Sequence, residues 1–113
     1  MAIQLNQAGF DYAKQLISEG NVDMDLHGDW GRENPDTEEE NRFIEKYGYE
    51  SYGHWHLGIN EDHSPETKEA YSFPYGNYSQ VVRSGLIAAE ERAAQYGYED
   101  IREAARLLLS MLD

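Results

Sequence analysis

Two runs of helical periodicity stand back to back at the end of this chain, and they leave few ways for it to fold. Val82, Leu86, Ala89, Ala93 and Tyr96 recur at helical spacing, which predicts a helix over about Ser79 to Tyr96 with those residues on one face. Ile101, Ala104, Ala105, Leu108, Met111 and Leu112 repeat the pattern over about Asp100 to Leu112. Only a short connection around Gly97 separates the two runs, so the second helix folds back as an antiparallel or angled neighbour of the first. Gly85, Ala88, Ala89 and Ala93 keep the first helix thin and let another element come close. The last helix carries an apolar surplus. Leu107, Leu108 and Leu109 are consecutive and point in three directions about 100° apart. Either that helix is central, or part of it is an interface, for which a homodimer through Leu107, Leu109 and Met111 is the expected form.

The preceding residues read as mixed elements. Phe10, Ala13 and Ile17 predict a first helix from about Asn6 to a cap at Gly20. Val22, Met24 and Leu26 then alternate with Asp23, Asp25 and His27 as in a half-exposed strand, and residues 27 to 35 read as a polar loop. A second helix begins around Asn34 to Thr37, with Thr37 and Glu40 in capping-box spacing, presents Phe43, Ile44 and Tyr47, and stops at Gly48. Trp55, Leu57 and Ile59 alternate with His54, His56 and Gly58 in a second strand. Tyr71 to Phe73 is either a third strand or aromatic coil over the helices. Tyr47-Gly48-Tyr49-Glu50 recurs as Tyr96-Gly97-Tyr98-Glu99, and both copies read as Schellman caps instead of a duplicated domain. The expected fold class is α+β: one helix-dominated domain over 1–113, about four helices with a short antiparallel hairpin or three-stranded piece. An acidic N-terminal and middle part, 1–69, precedes the C-terminal helical pair, 70–113.

Charge narrows the partners. The net charge is −13, and residues 19 to 69 hold fifteen acidic against four basic side chains. That argues against direct nucleic-acid binding and against anionic membranes, which need a basic surface, and it favours a basic protein partner or a cation. With no cysteine there is no disulfide framework, thiolate nucleophile or Cys-ligated zinc. No apolar run approaches membrane-spanning length, and a cytoplasmic address is the default expectation.

Few residues single themselves out chemically. All four histidines, His27, His54, His56 and His63, fall between 27 and 63, and His54 and His56 are placed on one strand face, so they are the candidate metal ligands. The acidic run from Asp23 imitates the opening of a calcium loop, but its twelfth position is Asn34 instead of a bidentate Glu. There is no P-loop, nucleophile elbow or dinucleotide fingerprint, and no enzyme activity or cofactor is expected. Phe73 and Tyr75, in the aromatic turn Ser72-Phe73-Pro74-Tyr75-Gly76-Asn77-Tyr78, join Leu107, Leu109 and Met111 as candidate partner-interface residues.

The run Phe73-Pro74-Tyr75-Gly76, with Ala88-Ala89, Arg92-Ala93-Ala94-Gln95, Asp100-Ile101 and Ala104-Ala105, resembles a small module of bacterial and phage proteins. Similar modules can be appended to head-maturation or other virion-associated proteins. The resemblance covers roughly the last 45 residues. It implies a helical pair and a phage or prophage neighbourhood, and it assigns no catalytic residue. The leading expectation is a non-enzymatic acidic accessory or regulatory protein acting through protein–protein interaction. A His/carboxylate metal protein, hydrolytic in one version, and a DNA-mimic inhibitor of a nucleic-acid-binding protein are the alternatives.

Overall fold

The computed structural model describes residues 3–25 and 30–112, apart from the side chains of Arg32 and Glu33. In chain order its elements are β1 (Ile3–Leu5), α1 (Gln7–Ser18), β2 (Val22–Asp23), α2 (Trp30–Glu33), α3 (Thr37–Gly53), β3 (His56–Asn60), a 3-10 turn at Lys68–Ala70, β4 (Tyr71–Pro74), β5 (Val81–Val82), α4 (Arg83–Tyr96) and α5 (Glu99–Ser110). Antiparallel pairing in the order β1-β3-β4 builds one sheet, with Leu5 opposite Gly58 and Gly58 opposite Ser72. A short parallel pair, β2 with β5, forms the other. The α+β class and the β3–β4 hairpin stand as expected. β1 has only three residues, too few for any alternation to be read, yet it completes the sheet.

α1 ends in a Schellman motif: Gly20 takes φ 78°, the Asn21 amide donates to the Leu16 carbonyl at 2.9 Å, and the Gly20 amide donates to Ile17 at 3.0 Å. The strand expected after it is present only at Val22–Asp23, and Leu26 and His27 lie outside the described residues. Within the expected loop, Trp30–Glu33 forms a single helical turn.

The capping box of α3 sits one residue earlier than Thr37 and Glu40. The Asp36 carboxylate accepts the Glu39 amide at 2.9 Å, and the Glu39 carboxylate accepts the Asp36 amide at 3.2 Å. Both registers exist in Asp-Thr-Glu-Glu-Glu, and Asp is the better N-cap residue. Asp36→Ala should therefore lower stability in a thermal melt by about 1 kcal/mol, while Thr37→Ala changes it little.

Gly48 does not stop α3. Its φ of 88° and ψ of 171° break the helix, which resumes and runs to Gly53. A Schellman cap needs a left-handed helical ψ, as at Gly97, where φ is 79° and ψ 21°. There the Tyr98 amide reaches the Ala93 carbonyl at 2.9 Å. Only one copy of the repeated Tyr-Gly-Tyr-Glu motif is thus a helix cap of this kind.

α4 starts at Arg83, later than Ser79, because Val81 and Val82 first pair with β2. Asn77 holds the turn ahead of them by accepting the Ser79 and Gln80 amides at 3.0 and 2.7 Å. The Ser84 amide in the first turn of α4 is taken by the Asp25 carboxylate at 3.0 Å. α4 and α5 then pack along each other, as their small residues predict. Ile101, Ala104, Ala105 and Leu108 are buried from α5, and Ile101, Ala105 and Leu108 join a core with Ala13, Leu16, Trp55, Leu57, Tyr75, Val81 and Leu86. Asp100, at the start of α5, anchors the pair to the sheet by accepting the Leu5 amide at 2.8 Å.

Candidate functional site

The break at Gly48 redirects the chain so that Tyr47 and Tyr49 end up beside the β3–β4 hairpin. Three local features then shape a cleft there. Gly53 carries no side chain, and a Cβ at that position would come within 2.5 Å of the Tyr71 ring, so Tyr71 lies directly against the end of α3. Buried Asn6 donates from Nδ2 to the Gly53 carbonyl at 2.9 Å and to the His56 carbonyl at 3.1 Å, fixing the junction between α3 and β3. The Tyr71 hydroxyl donates to the Pro65 carbonyl at 3.0 Å and holds the turn that carries Glu66.

The resulting cleft has a volume of about 670 Å³, and Tyr47, Tyr49, Tyr71, His54, Glu50 and Glu66 line it. Burial, and next the negative charge of Glu50, push the Tyr71 hydroxyl above its ordinary pKa, so that group stays a neutral donor. Glu50 and Glu66 are exposed carboxylates at the same cleft. Aromatic faces next to carboxylates attract a cation twice, through the ring quadrupoles and through formal charge.

The histidines do not share a strand face. α3 extends to Gly53 and β3 begins only at His56, so His54 belongs to the connection between them. The His54 ring lies 5.4 Å from that of Tyr12. His56 is buried, with its ring centroid 4.5 Å from Tyr52, and its Nδ1–H donates to the Tyr52 carbonyl at 2.9 Å. Burial drives its pKa down to about 4, against the opposing effect of that hydrogen bond. His63 sits in the exposed turn after β3, and His27 lies outside the described residues. Among the described residues, no group of three His, Asp or Glu side chains could hold a metal ion.

The expected interface residues separate as well. Tyr75 offers no surface: it is fully buried, its hydroxyl donates to the His54 carbonyl at 2.7 Å, and its ring is 5.8 Å from that of Trp55. The aromatic turn feeds this residue into the core because Pro74 and Gly76 bend the chain back under Trp55, which a Cβ at Gly76 would strike at 2.6 Å. Leu109 packs against the core edge. Leu107 in the last turn of α5 and Met111 at its C-cap are 50% and 37% exposed. Phe73 is half-buried, edge-to-face with Tyr98 at 5.9 Å.

Tyr47, Tyr49 and Glu50 of the cleft form one copy of the repeated motif, whose sequence signals a helix cap and not a cleft, and Tyr71 comes from β4 outside it. No protein-family model matches this chain, and neither a curated protein nor a solved structure matches it significantly. No helix among the described residues is long and apolar enough to cross a membrane.

Proposed function

We propose that this chain is a non-enzymatic acidic accessory domain that captures a basic protein partner, with the tyrosine and carboxylate cleft gripping a lysine or arginine side chain. The observation that carries this reading is the joint lining of one cleft by Tyr47, Tyr49, Tyr71, Glu50 and Glu66. All of these except Tyr71 fall in the part of the chain that holds fifteen acidic and four basic residues between 19 and 69, so the surrounding field steers cations toward the cleft. The absence of cysteine suits a reducing cytoplasmic setting, and the resemblance of the C-terminal part to modules of bacterial and phage proteins supports a phage or prophage context. A second reading, self-association, rests on the exposed Leu107 and Met111 pair.

Calorimetric titration with a peptide rich in lysine and arginine tests the cleft. Tyr47→Ala leaves the net charge unchanged; Tyr47 is 56% exposed, with the Phe43 ring 4.8 Å from its own and the Lys46 ammonium 5.3 Å from its centroid, so a thermal melt of the variant accompanies the titration. The substitution is expected to weaken binding about threefold to tenfold through the lost cation–π contact. Glu50→Gln should weaken binding more than Glu61→Gln, which removes a charge outside the cleft. Equal losses from the two Gln variants, with no effect of Tyr47→Ala, would show unspecific attraction and contradict the reading.

A further inference from the structure

A second cleft, of about 510 Å³, shares no lining residue with the first, and its described charged lining is basic where that of the first is acidic. Its walls come from Trp30 of α2, Phe73 of β4, Tyr96 at the end of α4 and Tyr98, and among the described residues Arg92 is its one charged lining residue. We propose that this cleft binds a small aromatic carboxylate.

Size and composition fit a small-molecule site, which is mostly apolar and aromatic with a few convergent polar groups. Ala88 and Ala89 line it without filling it. Arg92 supplies the planar fork that grips a carboxylate by two parallel hydrogen bonds. In a chain with 22 acidic residues, no carboxylate of a described residue pairs with this guanidinium, whereas Arg102 and Arg106 are engaged by Glu99 and Glu90 at 2.9 and 3.4 Å.

Two local anomalies fall at the same place. Phe73 has a φ of 60°, a conformation that a bulky side chain adopts only where its surroundings impose it, and such strain gathers at ligand clamps. Its neighbour Ser72, also in the lining, has a hydroxyl oxygen that is buried without a hydrogen-bond partner. The one charged lining residue among those described, Arg92, matches one negative charge, and a net charge of −13 repels polyanions such as nucleotide phosphates, so a monoanion is the ligand class proposed. The four aromatic walls select a ring over an aliphatic chain.

Titration of the full chain with 2-naphthoate, followed by two-dimensional amide NMR, tests the site. Saturable binding with a Kd of about 1 mM or tighter is expected, with shifts at Phe73, Ala88, Arg92 and Tyr98. The matching cation, 2-naphthylmethylamine, should not bind there. Arg92 is exposed, so Arg92→Gln should fold normally and weaken naphthoate at least tenfold, while Arg92→Lys retains part of the affinity. Tyr47→Ala should have no effect, which keeps this site separable from the basic-partner cleft. Absence of saturable naphthoate binding, equal binding of the amine, or affinity indifferent to Arg92→Gln would each overturn the proposal.

Discussion

Replacing Gly9 with alanine is expected to destabilise the protein by about 3 kcal/mol or more, although the same change in an exposed helix interior stabilises by about 1 kcal/mol. The sign reverses because α1 meets β3 backbone to backbone at this position. A Cβ on Gly9 would overlap the carbonyl oxygen of His56 and lie 3.1 Å from Nδ2 of Asn6. A main-chain carbonyl inside a sheet cannot swing away as a side chain does, so α1 must lift and Asn6 loses its bonds to His56 and Gly53. Gly97→Ala offers the contrast: a Cβ there meets nothing within 4 Å, and only the left-handed φ of 79° is penalised, by about 1 kcal/mol. Urea denaturation of the two variants measures the difference. A Gly9→Ala protein as stable as the parent would contradict the α1–β3 packing.

Acid should remove about 3 kcal/mol of stability through His56 alone. The imidazole is buried as the neutral form, and its pKa lies at about 4 in the folded chain against an ordinary 6.5. Between those values the unfolded chain binds a proton that the native protein refuses. Stability is therefore fully present above about pH 6.5 and falls as pH drops toward 4. Tyr52 and Tyr71 face the ring, and neither offers a negative charge to hold an imidazolium. His56→Gln should flatten the stability profile across this window, so urea midpoints at several pH values for both proteins isolate the effect. Parallel profiles would show that His56 is not buried neutral.

The C-terminal helical pair was legible because long, regular spacing admits one period, and the buried residues of α5 are four of the six that spacing picked out. Short or ambiguous signals carried less. Asp36 and Thr37 offer two capping registers one residue apart, and three-residue β1 contains no pattern to detect. The alternation from His54 to Ile59 looked like one strand because periodicity cannot show that a helix broken at Gly48 resumes and consumes the first part of it. Among aromatics, sequence alone does not separate core from surface: Tyr75 and Tyr47 are both tyrosines beside glycines, yet one is fully buried and the other is 56% exposed. Neither cleft was legible, since each assembles residues that are distant along the chain, such as Tyr47 with Tyr71 and Phe73 with Arg92.

Amide NMR mapping of a short peptide rich in lysine and arginine onto the full chain, at physiological salt, tests capture of a basic partner most directly. The predicted result is a compact set of shifts at Tyr47, Gly48, Tyr49, Glu50, Gly53, Glu66 and Tyr71 that saturates together and disappears in the Tyr47→Ala, Glu50→Gln double variant. Weak, unsaturated shifts scattered over every acidic stretch, unchanged by that variant, would contradict it.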